Sequence, residues 1–353
     1  MLTRLPGLTD VHVHLREPGG THKEDWDSGT AAALAGGFTT VLAMPNTNPA
    51  ITDEDTLGIS VQAAKGKARC DYAQYIGAGP ANAGSATRFA SKVAGLKMYL
   101  DQTYGDLKLD DMTSWIPHFA NWPSAWPLCA HAEGKTMAAA ILLAEMHKRP
   151  IHICHVSRRE EILLIRAAKE KSISVTCEVC PHHLLLTEDD IPSLGAGRCE
   201  VRPRLATKTD RDALWANLDV IDCFATDHAP HTLAEKDSSN PPPGFPGLET
   251  ILPLLLTAVK QGRLTMDDMV VRLHTNPARI FKIPEQPETF IEVDLDDDYE
   301  IHAANLHSRC GWTPFEGWKA TGRVHRVMLR GQLAFENGHV LAAPGSGKNI
   351  REQ

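Results

Sequence analysis

In Asp10-Val11-His12-Val13-His14-Leu15-Arg16 every second residue is polar. On a β-strand that period sends Asp10, His12, His14 and Arg16 to one side and the valines to the other, so two imidazoles converge on one point. A His-x-His pair by itself is ordinary at an exposed strand end. Here other short apolar runs also end in ligand-type residues: Lys97, His131, the pair Cys154-His155, Glu178 and Asp227. Imidazole, thiolate and carboxylate are the groups that hold zinc-type cations. A water activated by such a cation is a nucleophile at neutral pH, so metal-assisted hydrolysis is the leading chemistry.

Residues spread over 200 positions meet only if the chain brings its strand ends together. Apolar or β-branched runs alternate with Ala/Leu-rich segments of helical period, the pattern of repeated β-α units around a parallel sheet. The strand candidates are Leu8 to Leu15, Phe38 to Met44, Cys70 to Gly77, Gly95 to Leu100, Pro127 to Ala132, Ile151 to Val156, Ile173 to Val179 and Ile221 to Thr226. Helices are expected between them, as over Asp27 to Ala35, Met137 to His147 and Arg159 to Lys171. Eight such units predict a closed (β/α)8 TIM barrel, whose C-terminal strand ends all face one mouth.

The barrel is expected over residues 8–285, with Thr250 to Gly262, Thr265 to His274 and Pro277 to Phe281 as closing helices. Residues 286–353 read as a small C-terminal β segment packing with the N-terminal residues 1–7, and Glu336-Asn337-Gly338-His339 supplies a hairpin turn. The acidic stretch Asp294 to Glu300 reads as a solvated turn, and Ser239 to Gly247 as a loop. With only seven residues before the first barrel strand, the chain reads as a domain cut from a longer polypeptide.

Composition narrows the function classes. The 353 residues are 42% hydrophobic and 23% charged, with a formal net charge of −8. These are globular values, and no basic run is present to neutralise many phosphates, so nucleic acid is not an expected partner. No apolar stretch approaches the roughly 20 residues of a membrane span, and no secretory leader is visible, so a cytoplasmic protein is expected. The eight cysteines are scattered through apolar runs, which is thiol usage rather than a disulfide framework. Cys177-x-x-Cys180 lacks a second pair, and Cys180 is expected to pack. Gly345-Ser346-Gly347-Lys348 lacks the remainder of a phosphate loop.

His12-Val13-His14-Leu15-Arg16, Met44-Pro45-Asn46-Thr47, Gly95-Leu96-Lys97-Met98-Tyr99, His131-Ala132-Glu133, His155-Val156-Ser157 and Asp227-His228-Ala229-Pro230-His231 resemble the dihydroorotase motifs of the amidohydrolase superfamily. The resemblance runs from about residue 5 to the C-terminus. It points most nearly to the dihydroorotase domains of the animal-type trifunctional proteins, fused to carbamoyl-phosphate synthetase and aspartate transcarbamylase. It implies two zinc ions bridged by a carboxylated Lys97 and a hydroxide, the first held by His12, His14 and Asp227, the second by His131 and His155. As an ammonium Lys97 would repel both metals, but buried among Leu96, Met98 and Leu100 it is expected to lose its proton readily. Asp227 is the expected proton shuttle, in the reversible cyclisation of N-carbamoyl-L-aspartate to L-dihydroorotate plus water.

Both of those small-molecule substrates carry carboxylates, which Arg16 and Arg202 can hold bidentately while Asn46 donates from its amide. The family also places His231 on the substrate. Cys154 beside His155, with Glu178 on the next strand, offers ligands for a third zinc that would share the His155 imidazole. Asp101 to Asp106 is expected to be a mobile lid, with Thr103 donating to substrate and Tyr104 excluding water. A homodimer is the family expectation. The rival readings are a hydantoinase or allantoinase type of cyclic amidohydrolase, and an inactive dihydroorotase-like scaffold domain.

Overall fold

A computed structural model describes residues 2–352. Its strands, in chain order, are β1 (Leu2–Pro6), β2 (Leu8–Val13), β3 (Phe38–Ala43), β4 (Asp71–Gln74), β5 (Ile76–Gly77), β6 (Leu96–Tyr99), β7 (Leu128–His131), β8 (Ile151–Ile153), β9 (Val175–Val179), β10 (Cys223–Phe224), β11 (Phe290–Glu300), β12 (Lys319–Leu329), β13 (Gln332–Glu336) and β14 (His339–Val340). β2 to β4 form one parallel run and β5 to β10 another. The two runs join at Tyr75, whose N–H reaches the Ala43 carbonyl at 2.9 Å. The ring closes where Val13 bridges His228 in parallel sense, with the His14 N–H on the His228 carbonyl at 2.7 Å. With β4 and β5 as one interrupted strand, this is the eight-stranded barrel the sequence predicts.

The first two helices between the strands start on side-chain caps that sequence places there. Asp25 caps the helix Trp26–Ala35 and Asp53 the helix Glu54–Lys67, each carboxylate accepting the backbone N–H three residues on. Gly36 ends the first helix at a point where a Cβ would lie 2.1 Å from the Leu248 carbonyl oxygen, so only glycine lets the two backbones approach. One apolar cluster fills the space between strands and helices, including Trp26, Met137 and Ile162. A second fills the barrel interior with Val11, Leu42, Tyr75, Cys129, Cys154, Cys223 and Phe281.

Three local expectations change. Val11 packs in the inner cluster and Val13 in the outer one, because the β2–β3 register shifts between Asp10 and Val13 and breaks the strict alternation. The eighth strand contracts to Cys223–Phe224, since the Thr226 hydroxyl and N–H both turn to the Asp10 carboxylate, at 2.5 and 3.2 Å. The acidic stretch is not a solvated turn. Asp294 to Glu300 continues β11, which pairs antiparallel with β12 across a bulge between Asp294 and Asp298. Asp297 meets Arg323 at 2.6 Å and Asp298 meets Lys260 at 2.7 Å, so basic side chains offset the charge of an edge that reads as loop by composition.

The antiparallel sheet runs in the order β1-β11-β12-β13-β14. Glu336 pairs with His339 across the Asn337-Gly338 turn, with both turn residues at positive φ. β12 also packs on the helix Ile251–Lys260 of the barrel wall.

Candidate metal centre at the barrel mouth

Five strand ends and the segment after β10 deliver the ligand-type side chains. His12 and His14 come from the end of β2, Lys97 from β6, His131 from β7, and Cys154 and His155 from just beyond β8. Glu178 stands on β9, and Asp227 three residues past β10. All eight are buried, Lys97 completely. Arg16, His155 and Asp227 have φ of 58°, 35° and 46°, a left-handed backbone that costs non-glycine residues energy. Three of the eight non-glycine residues at positive φ among the described residues thus stand at the mouth.

The hydrogen bonds fix the tautomers. Asn46 Nδ2 donates to the Tyr104 carbonyl at 3.0 Å, so Asn46 Oδ1 faces His14 Nδ1 at 2.7 Å as an acceptor. His14 Nδ1 therefore carries the proton, and its Nε2 presents a lone pair to Asp227 Oδ1 at 3.0 Å. Burial lowers the His14 pKa to about 4, so the ring is neutral at pH 7. His12 repeats the arrangement, with Nδ1 on Glu178 Oε1 and Nε2 3.2 Å from Asp227 Oδ1. Two imidazole lone pairs thus face one oxygen of the Asp227 carboxylate. Acceptors facing acceptors at this distance need a cation between them, and His12, His155 and Asp227 together meet the spacing of a metal site.

His131 Nδ1 and His155 Nε2 lie 2.9 Å apart, while His131 Nε2 and His155 Nδ1 are buried with no hydrogen-bond partner. Burial pushes the His131 pKa to about 3 and that of His155 well below its ordinary value, leaving both as neutral donors of an electron pair. Lys97 Nζ lies 2.9 Å from Cys154 Sγ and 3.5 Å from His12 Nε2. Its expected easy deprotonation does not hold: burial opposes the charge, but Cys154 and Glu178 outweigh it and raise the pKa. The second group with metal spacing is His12, Cys154 and Glu178. The imidazole that meets Cys154 and Glu178 is His12; the His155 side chain turns to His131, and only its backbone N–H reaches Glu178, at 3.3 Å.

Above this layer lies a small cavity of about 20 Å³ lined by Arg16, Asn46, Thr103, Tyr104 and Arg202 as well as the upper ligands. Arg16 is buried, with Nε on the Pro230 carbonyl and Nη2 3.0 Å from His231 Nε2. Arg202 is turned aside, paired with Glu200 and the Val201 carbonyl. Tyr104 lies over the site, its ring centre 5.0 Å from the Arg16 guanidinium carbon. Sequence reasoning missed Lys23, which is buried and spends its ammonium on Tyr104 Oη, His231 Nδ1 and Glu235 Oε1, at 3.2, 3.0 and 3.0 Å. It also missed His152, 3.1 Å from Glu178 Oε2. Lys23 gives no periodic signal inside a loop; His152 differs in that it alternates with Ile151 and Ile153 on β8.

Residues 3–105 match the family described as Dihydro-orotase-like. The dihydroorotase of Pyrococcus furiosus is 36% identical over 366 residues, covering 99% of this chain and 85% of that protein. The chain belongs to the dihydroorotase family. The multifunctional protein CAD of Squalus acanthias is 57% identical over 350 residues, yet the chain spans 16% of that protein's length. Among solved structures, the L-hydantoinase of Arthrobacter aurescens superposes with a TM-score of 0.91 at 26% identity, covering 98% of this chain and 88% of that one. The inactive dihydroorotase-like domain of the Chaetomium thermophilum CAD-like multifunctional protein covers 99% of both chains at 31% identity and a TM-score of 0.85. Among the described residues no helix is long and apolar enough to cross a membrane.

Proposed function

We propose that this chain is a dihydroorotase, a metal-dependent hydrolase of a cyclic amide that interconverts N-carbamoyl-L-aspartate and L-dihydroorotate in pyrimidine synthesis. The observation that carries the reading is the lone-pair arrangement: His12 and His14 aimed at one Asp227 oxygen, beside the neutral pair His131 and His155. His12, His14 and Asp227 would hold one zinc ion and His131 and His155 a second, with a carboxylated Lys97 between them. Bound there, the two cations supply a water acidified at neutral pH and polarisation of the scissile carbonyl.

The chain's own groups do the rest. In ring opening, Asp227 accepts the proton of the attacking water and delivers it to the departing ring nitrogen; in cyclisation it takes the ureido N–H proton and returns it to the departing hydroxyl. Arg16, held through its Nε–H on the Pro230 carbonyl, offers its remaining N–H donors to the substrate carboxylate, and Asn46 orients His14 from behind. Arg202 joins Arg16 on the carboxylate by exchanging Glu200 for substrate. Thr103 and Tyr104 cover the cavity and exclude water. A third zinc would take Cys154, Glu178 and His12, replacing the proton on His12 Nδ1.

We place the catalytic barrel at residues 8–285 and the β segment at 286–353, in a cytoplasmic homodimer fused to the two preceding enzymes of the pathway. The 31% identity to an inactive domain keeps a scaffold reading in play. Against it, the ligand set here is complete, from His12 through Asp227. The test is addition of L-dihydroorotate to the zinc-loaded, bicarbonate-treated protein, with Lys97→Ala as control. Ring opening that vanishes in the variant is expected. Two bound metals without turnover would transfer the reading to another cyclic amide, and no bound metal would leave the scaffold.

A further inference from the structure

Just past Glu178 the chain leaves β9 and enters a short helix, Pro181–Leu185. Cys180, His182 and His183 cluster there with their ligand atoms all within 4.8 Å of one another. None of the three lines the substrate cavity or belongs to the ligand sets at the mouth. All are buried, at 0%, 2% and 3% exposure.

The side chains are not accounted for by packing alone. His183 Nε2 lies 3.1 Å from the Pro203 carbonyl, which only accepts, so the ring proton is on Nε2 and Nδ1 is left with a free lone pair. That Nδ1 is buried and has no partner. His182 Nε2 is likewise buried and unpartnered, with its ring edge-on to Phe245 at 5.1 Å. An unsatisfied buried polar atom costs about 1–3 kcal/mol, and here two stand beside a thiol. Metal-bound histidines characteristically donate their second ring N–H to a carbonyl, as His183 does to Pro203. Cys177 is no competitor for Cys180, because its sulfur lies 3.6 Å from the Val220 carbonyl.

We propose that Cys180, His182 and His183 form an accessory metal site, separate from the centre at the barrel mouth, for a zinc-class d10 cation completed by one water. Tetrahedral zinc with sulfur and nitrogen ligands places neighbouring donors about 3.3–3.6 Å apart, inside the 4.8 Å within which these three ligand atoms lie. Binding converts the Cys180 thiol to a thiolate and releases its proton to solvent, while both imidazoles bind as neutral ligands. Through His183 the ion would also brace Pro203, the residue after Arg202.

The test is metal analysis of the full chain after equilibration with zinc and removal of loose ions, on wild type, Cys180→Ala and His182→Gln. Each variant is expected to hold one zinc fewer per chain than wild type. Cys180→Ala should keep its ring-opening activity, since Cys180 does not reach the cavity, and the rise in Tm on adding zinc should shrink. If His182→Gln does not fold, Cys180→Ala decides alone. A wild-type zinc count in Cys180→Ala overturns the proposal.

Discussion

The Lys23 ammonium has three N–H donors and the structure spends all three, on the Tyr104 hydroxyl, His231 Nδ1 and Glu235. It therefore ties the loop over the cavity to the histidine that flanks Arg16. Tyr104→Phe removes one acceptor while the ring stays against Arg16 and Lys23, at 5.0 and 4.8 Å. At 3.2 Å and partly exposed, that bond is worth about 0.5–1.5 kcal/mol, or about 2- to 13-fold in KM for dihydroorotate. Lys23→Met removes all three contacts and frees His231, for about 2–3 kcal/mol and a KM rise of about 30- to 160-fold. The informative assay is the double-mutant cycle. If the lysine acts through the tyrosine, Tyr104→Phe has no further effect once Lys23 is methionine, and the coupling equals the whole single-mutant effect. The same fold-change for Tyr104→Phe in both backgrounds would refute a latch between them.

Gly36→Ala brings a Cβ to 2.1 Å from the Leu248 carbonyl oxygen and should cost about 1–3 kcal/mol in denaturant unfolding, while Gly58→Ala, with nothing near its Cβ in an exposed helix, should gain about 0.5–1 kcal/mol. His118 is buried with Nε2 on the Gly79 carbonyl, and burial holds its pKa below 6.5. The unfolded chain therefore binds the proton first, so this part of the stability is present above pH 6.5 and lost as pH falls below it; His118→Gln should flatten the Tm profile there. Stripping the metals with a chelator should lower Tm as well as abolish turnover, since the facing lone pairs on His12, His14 and Asp227 lose the cation between them; an unchanged Tm on calorimetry would contradict that.

The barrel was legible because its strands carry period-2 and apolar-run signals, and the His-x-His strand declared its own inward face. What composition concealed was settled by partners distant in sequence. Asp294 to Glu300 reads as loop until Arg323 and Lys260 are seen beside it. The shift at Asp10 to Val13 accompanies the Asp10 carboxylate's reach to Thr226, a contact no local pattern encodes. The choice of His12 over His155 beside Cys154 depends on ring orientation, which spacing along a strand does not specify. Arg202 lines the cavity, but its pairing with Glu200 is a competition between neighbours that residue type leaves open.

The seam between Leu2–Pro6 and Phe290–Asp294 joins residues roughly 290 positions apart. During synthesis at about 5–20 residues per second, the first strand waits about 15–60 s before its partner has been made. Throughout that interval its unpaired edge is on offer, directly beside the strand that carries His12 and His14. The nascent chain therefore passes through a long window in which strand addition by another chain competes with its own last third, and a chaperone that holds the leading edge would raise the yield of folded protein more than one acting on the finished barrel.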